Sequence, residues 1–257
     1  MRNICLDIQY DGTDFCGWQI QHGQRTVQGE LEHALHRLHR HPVSILTAGR
    51  TDSGVHALGQ VGNFRSDMDT VPAEKFAFAL NGLLPKDVRI QKSREVHPDF
   101  HATHNAVERR YRYYLYASRY VNPLLDRYRL RVASIPPLPL LNRLCASLIG
   151  TRDFASFASP KEEQTTVRTI TSAVFFPDRD GTVFEIAGSG FLWKMVRTII
   201  GTVLAVSERP DAIAEFNRIL AARNRQAAGK TAAPHGLVLY RVIYPDATGG
   251  SQEDAKL

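Results

Sequence analysis

Long apolar runs are missing from this sequence. No stretch reaches the roughly 18 residues that a membrane-spanning helix needs. The opening residues MRNICLDIQYDG lack the apolar core and cleavage pattern of a secretory signal, which points to the cytoplasm. Cysteine is scarce as well. Cys5, Cys16 and Cys145 stand far apart with no Cys-x-x-Cys spacing, so zinc ligation or dithiol redox chemistry has little support. Cys5 falls in an alternating pattern and Cys145 on a helical apolar stripe, so both read as small core residues, and Cys16 lies in a loop. Acidic residues are too few to balance the basic ones. Asp and Glu number 26 against 32 Lys and Arg, a net charge of +6. That excess favours a polyanionic partner, because each phosphate contact releases counterions. It is carried mostly by arginine, which suits bidentate phosphate contacts and stacking on bases.

What is present is an ordinary globular composition, 43% hydrophobic and 23% charged over 257 residues, enough for one large domain or two small ones. Ile4, Leu6, Ile8 and Tyr10 alternate with Cys5, Asp7 and Gln9, a strand pattern that Asp11-Gly12 breaks. Thr26 is placed to cap a helix whose one face carries Val27, Leu31, Ala34, Leu35 and Leu38. Strands are expected near Val43–Thr47, Gln60–Phe64 and Val88–Val96. Between the last two, Pro72 would open a helix with the stripe Phe76, Leu80, Leu83, Leu84. Further on, Val107–Ala117 reads as a long Tyr-rich strand and Leu138–Ile149 as a helix. Val167–Phe176 and Thr182–Ala187 read as a hairpin turning at Asp178-Arg179-Asp180-Gly181. Helices over Phe191–Val206 and Asp211–Ala222 and a strand over Leu237–Tyr244 complete the series.

Strand and helix alternate in both parts, without a sequence repeat, so the class is α+β or α/β. The expected division is an N-terminal half over residues 1–105, a C-terminal half over 106–247, and a polar, disordered tail over 248–257. Pro136-Pro137-Leu138-Pro139 reads as a loop inside the second half. Lys161, Glu162 and Glu163 read as a mobile loop.

The most unusual segment is Ala48-Gly49-Arg50-Thr51-Asp52-Ser53-Gly54-Val55-His56-Ala57, in which two glycines bracket a cation, a hydroxyl and a carboxylate. Alone, Thr-Asp-Ser-Gly is an ordinary turn. With its flanks and Gln60 it resembles the loop G-R-T-D-x-G-V-H-A of the tRNA pseudouridine synthase A family. The likeness runs through most of the chain: Tyr10-Asp11-Gly12 with Gly17-Trp18-Gln19, Asp99-Phe100-His101-Ala102, Arg109-Arg110-Tyr111-Arg112-Tyr113, and Asp153-Phe154 with Ser156-Phe157. It continues with Phe191-Leu192, Met195-Val196-Arg197, Gly201, Gly236-Leu237 with Leu239, and Tyr244-Pro245. Two positions depart. Trp193-Lys194 stands where several relatives carry His-His, and His104 occupies a position that is often Phe, so no role is transferred to either.

The resemblance implies an α+β fold of two RRM-like or ferredoxin-like halves joined through a mainly antiparallel sheet. It implies conversion of uridine to pseudouridine at positions 38 to 40 of the anticodon arm of tRNA, by a homodimer without a metal, nucleotide or other cofactor. Asp52 is the implied catalytic carboxylate, acting as nucleophile or as base at the sugar, and either role needs the ionised form. Arg197, in an otherwise apolar segment, is the implied cation that pairs with it. Tyr111 would lie against the target base, Arg50 would hold phosphate or fill the space left by the extruded base, and Leu237 would close the pocket. Tyr114 and Tyr116 fit a core role better than Tyr111, Tyr113 has a supporting place, and His56 either braces the loop or fills space. Two other readings compete. A non-catalytic RNA-binding protein with two RRM-like halves fits the composition, but the RRM aromatic signature is absent. A metal hydrolase built on His97, His101 and His104 has weak spacing and no intervening glutamate.

Overall fold

The computed structural model describes residues 1–158 and 165–245. The expectations for the 248–257 tail and for Lys161, Glu162 and Glu163 lie outside the described residues. The fold is α+β and mainly antiparallel, and the chain divides into two compact units. The first comprises Met1–Arg109 and the chain from Val238 onward, the second Arg110–Leu237.

The first unit is built on β1 (Arg2–Tyr10), which pairs antiparallel with β3 (His56–Ser66) on one side and with β4 (Val88–Val96) on the other. β2 (Ile45–Thr47) pairs antiparallel with β3. Helices α1 (Val27–His39) and α2 (Lys75–Asn81) supply the apolar cover. Thr26 caps α1 as expected, its side chain accepting the Gly29 amide. The ring of His39 at the end of α1 stacks on Phe76 of α2 and meets Phe64 of β3 edge-on, so one aromatic cluster ties both helices to the sheet. Cys5 is core, as its pattern suggested, and Asn3 on the same face is buried because the segment from His97 onward covers it. Asn3 donates to the carbonyls of His97 and Phe100, and Asn63 accepts the Ala102 amide. Buried polar side chains pair with backbone there, which offsets their desolvation.

The second unit has strand order β5 (Glu108–Ala117), β9 (Gly181–Gly188), β8 (Val167–Asp178), β7 (Gly150–Asp153). A short β6 (Leu130–Val132) pairs parallel with β5. Helices α3 (Leu138–Ala146), α4 (Met195–Ser207) and α5 (Ala212–Ala222) bring Leu144, Ile199, Val203 and Phe216 into one core, where Phe157 stacks on Phe216. Periodicity suggested that α4 begins at Phe191. It begins four residues later, because Trp193-Lys194 form a turn in which Lys194 is left-handed, at φ 60°. The final strand β10 (Leu237–Ile243) was expected in the second half. It pairs parallel with β3, Val238 opposite His56 and Leu239 opposite Ala57, and so returns to the first unit.

Between β7 and β8, Asp153 accepts the Thr166 hydroxyl at 2.6 Å and the Ala155 amide at 3.0 Å, with Arg223 Nε 3.3 Å from its second oxygen. The Thr166 hydroxyl first, then the Ala155 amide and the Arg223 charge, hold this carboxyl below the usual carboxylate range against the opposing effect of burial. A depressed folded pKa contributes stability above the unfolded value and loses it as pH falls through the folded one. The Asp153→Asn variant should therefore have a lower urea midpoint than wild type at pH 7. The gap should narrow as pH falls from about 4 through the lower folded-state pKa, below which the carboxyl is protonated in both states.

Candidate active site

Two of the five site residues expected from the sequence, Arg50 and Asp52, lie on the loop between β2 and β3 in the first unit. Arg50 is exposed and Asp52 half-buried. The loop is held at both ends. Ala48 donates its amide to the Val61 carbonyl at 2.8 Å, and its own carbonyl accepts Arg109 Nε and Nη2. The same guanidinium also donates to the carbonyls of Thr103 and Ala106, so Arg109 locks three backbone oxygens into one arrangement. Gln60 donates its amide to the Gly49 carbonyl at 2.7 Å. On the far side of Arg50, the Thr51 hydroxyl pairs with the buried Tyr10 hydroxyl at 2.8 Å, and the Thr51 carbonyl accepts the Trp18 amide at 3.1 Å.

Asp52 is followed by a tight turn, the Val55 amide donating to the Asp52 carbonyl at 3.1 Å, with Gly54 left-handed at φ 75°. The Phe15 carbonyl accepts the Gly54 amide and the Ser53 hydroxyl, both at 3.2 Å. Gly17, at φ 87°, lies so close beneath that a Cβ there would sit 2.7 Å from the Thr51 oxygen. Residues Phe15–Trp18 therefore form a backbone platform against the backbone of Thr51–Gly54. The two glycines that bracket the motif have different jobs. Gly54 supplies the left-handed turn, whereas Gly49 supplies a carbonyl clamped by Gln60 and by the Thr47 hydroxyl. His56 braces the loop: its Nδ1 accepts the Gly12 amide at 3.0 Å. The Asp11 carboxylate lies 3.1 Å from the same nitrogen, a contact that becomes an ion pair only if Nδ1 is protonated.

Burial pushes the Tyr10 hydroxyl up to about 12, partly offset by its bonds to Thr51 and Gln60, so it stays a neutral phenol. Tyr10→Phe leaves the Thr51 hydroxyl without this partner. It should cost about 1 kcal/mol of stability in urea unfolding. Because Thr51 adjoins Asp52, kcat should fall more than KM rises.

The other three residues belong to the second unit. Tyr111 on β5 is buried and meets the ring of Phe191 edge-on, with centroids 5.1 Å apart. Tyr113, two residues on, is fully buried and donates its hydroxyl to the Ala233 carbonyl at 2.8 Å. Arg110 and Arg112, at alternate positions of β5, both pair with Glu185 of β9. Of the two tyrosines that fit a core role better, Tyr116 is buried. Tyr114 is not: it is half-buried with the Arg129 guanidinium over its ring, because a long cation covers that part of the strand. Arg197 lies in the first turn of α4. A cation there opposes the helix dipole, so helix stability does not explain it. Its Nε donates to the Ala232 carbonyl at 2.8 Å and its carbonyl accepts the Ala232 amide. Thr231 on Thr198 and the Gly229 amide on Thr202 extend this strap along α4. The strap leads through Gly236 to Leu237, which is buried at the start of β10.

Sequence reasoning missed Arg109, Tyr10 and the Phe15–Trp18 platform as positioning elements, although all carry motif residues. The rings of His101 and His104 lie 4.1 Å apart, and partial burial together with the His104 charge lowers the His101 pKa. Among the described residues no three His, Cys, Asp or Glu side chains converge as metal ligands. Nor is any helix among them long and apolar enough to cross a membrane.

A family model described as tRNA pseudouridine synthase matches residues 8–105 and 144–245. The tRNA pseudouridine synthase A of Treponema denticola is 42% identical over 251 residues, 95% of this chain and 94% of its own length. That of Halalkalibacterium halodurans is 40% identical over 258 residues, 100% of this chain and 97% of the relative. That of Bacillus pumilus is 43% identical over 240 residues, 92% and 97%. With similarity of this depth spanning both units, the chain belongs to the tRNA pseudouridine synthase family.

Proposed function

We propose that this protein isomerises uridine to pseudouridine in tRNA, at positions 38 to 40 of the anticodon arm, with Asp52 as the catalytic carboxylate. The observation that carries this reading is the Asp52 loop. It is half-buried, rigidly braced on both flanks, and bears the family's motif without a gap. The base leaves the ribose at nitrogen, turns, and rejoins through carbon-5, whose proton is released. The carboxylate acts either as nucleophile or as base in this sequence. Arg197 is the cation that keeps it ionised, Tyr111 carries the base, Arg50 meets phosphate or the vacated stack, and Leu237 closes the pocket. Bases within a stacked stem are out of reach, so the target uridine is extruded and recognition rests on shape and backbone charge. The net charge of +6 suits that demand. The working unit is a homodimer, in the cytoplasm, and the reaction needs no redox cofactor or nucleotide because it is an isomerisation.

A non-catalytic RNA-binding role has no use for a braced carboxylate. Tritium release from tRNA labelled at uridine carbon-5 decides between the two. The protein should release tritium without added metal or nucleotide, and replacing the uridines at positions 38 to 40 should remove the signal. Binding of tRNA with no release would favour the non-catalytic role.

A further inference from the structure

No part of the chemistry above uses Trp193 or Lys194. Trp193 is 56% exposed, unlike the chain's other tryptophan, Trp18, at 1%. Its flanks Leu192 and Met195 are both buried, and the Met195 amide donates to the Leu192 carbonyl at 3.0 Å. The four residues form a tight turn that anchors at its ends and projects its middle. Lys194 takes the third position of that turn at φ 60° and ψ 5°, a conformation that favours Gly or Asn. Arg40 and Arg223 are also left-handed, but they close helices, where this conformation is ordinary. Lys194 opens one, so the strain there is not explained by helix capping. Its Nζ lies 4.1 Å from the Trp193 ring centroid, a cation held against an exposed indole. Phe191, just before the turn, packs against Tyr111.

We propose that Trp193 and Lys194 form an RNA contact point beside the Tyr111–Phe191 pair, the indole stacking on a nucleobase of the substrate tRNA and the ammonium meeting an adjacent phosphate. An indole offers a ring face to any base at little entropic cost, and a lysine beside it supplies the charge that a nucleic acid strand, unlike an apolar protein partner, requires. The inference rests on tRNA being the substrate and adds a point of recognition to it.

The chain's two tryptophans make the test direct. Acrylamide quenching of the free protein should report Trp193. Saturating unmodified tRNA should cut the quenching constant by at least about half, since a stacked indole is shielded. The Trp193→Phe variant, which leaves only Trp18, should show weak quenching that tRNA does not change. Trp193→Ala should raise KM for tRNA about tenfold with kcat within about twofold, and Trp193→Phe should recover most of the loss. Lys194→Gln should reduce the slope of log affinity against log salt by about one. A complex of full affinity in which Trp193 stays equally quenchable, or an unchanged KM in Trp193→Ala, would overturn the proposal. Absence of any tRNA binding would sink it together with the function. Full activity in an Asp52 variant would sink only the catalytic assignment.

Discussion

Asp52→Asn should reduce pseudouridine formation by about 10³-fold or more while leaving tRNA affinity within about twofold. Asparagine has the size and shape of aspartate but can neither attack the sugar nor take a proton from it. Several of the bonds that hold the loop run through backbone and neighbouring side chains and survive the substitution. The Val55 amide donates to the Asp52 carbonyl, and the Gly54 amide and Ser53 hydroxyl donate to the Phe15 carbonyl. The variant should still unfold cooperatively on heating, so that loss of activity is read on a folded protein. Tritium release and gel-shift binding on the same preparation separate chemistry from recognition. Equal release by variant and wild type would refute the assignment.

Gly17→Ala should be nearly as damaging by a different route. The residue is left-handed, at φ 87°, and the added Cβ would meet the Thr51 oxygen at 2.7 Å and the backbone of Asp52 and Ser53 at 3.1 Å. The conformation alone costs about 1–2 kcal/mol for a residue with a Cβ. The contact adds a push against the backbone that carries the carboxylate. Gly23→Ala is the control: its φ is 69°, yet nothing lies within 4 Å of the added atom. Both variants bear the conformational cost, and only Gly17→Ala should lose kcat, by about 10²-fold, since small misplacements of reacting groups are costly. Urea midpoints and kcat measured below both transitions test this. Similar kcat values in the two variants would mean that the Phe15–Trp18 platform does not position Asp52.

Elements with strong period or chemistry could be read from residues alone. The strand over Val88–Val96 has the bounds its pattern suggests, and the Thr26 cap is where the helix rule places it. The strands β6 and β7 could not be read, at three and four residues, because neither is long enough to show a period. The stripe that suggested α4 from Phe191 counted Phe191 and Leu192, which are apolar for other reasons. Leu192 anchors a turn and Phe191 packs on Tyr111. In the site, residue types and spacing singled out the 48–57 loop. Its supports Tyr10 and Arg109 stayed hidden because they act across large sequence separations, through hydrogen bonds that no local pattern encodes. Tyr114 was misjudged for a related reason: burial of alternate strand residues depends on what covers each face, and there an arginine does.

The pairing of β10 with β3 has a consequence for how the enzyme is made. The strand that follows the Asp52 loop acquires its parallel neighbour only from residues encoded far downstream. On the ribosome, the start of β3 at His56 and Ala57 lacks that neighbour until Val238 and Leu239 have emerged, a long exposure for unpaired backbone. Nascent chains stalled before Leu237 would thus carry every residue of the Asp52 loop yet lack the partner that completes the sheet beside it. Completion of the sheet beside the Asp52 loop therefore waits on β10.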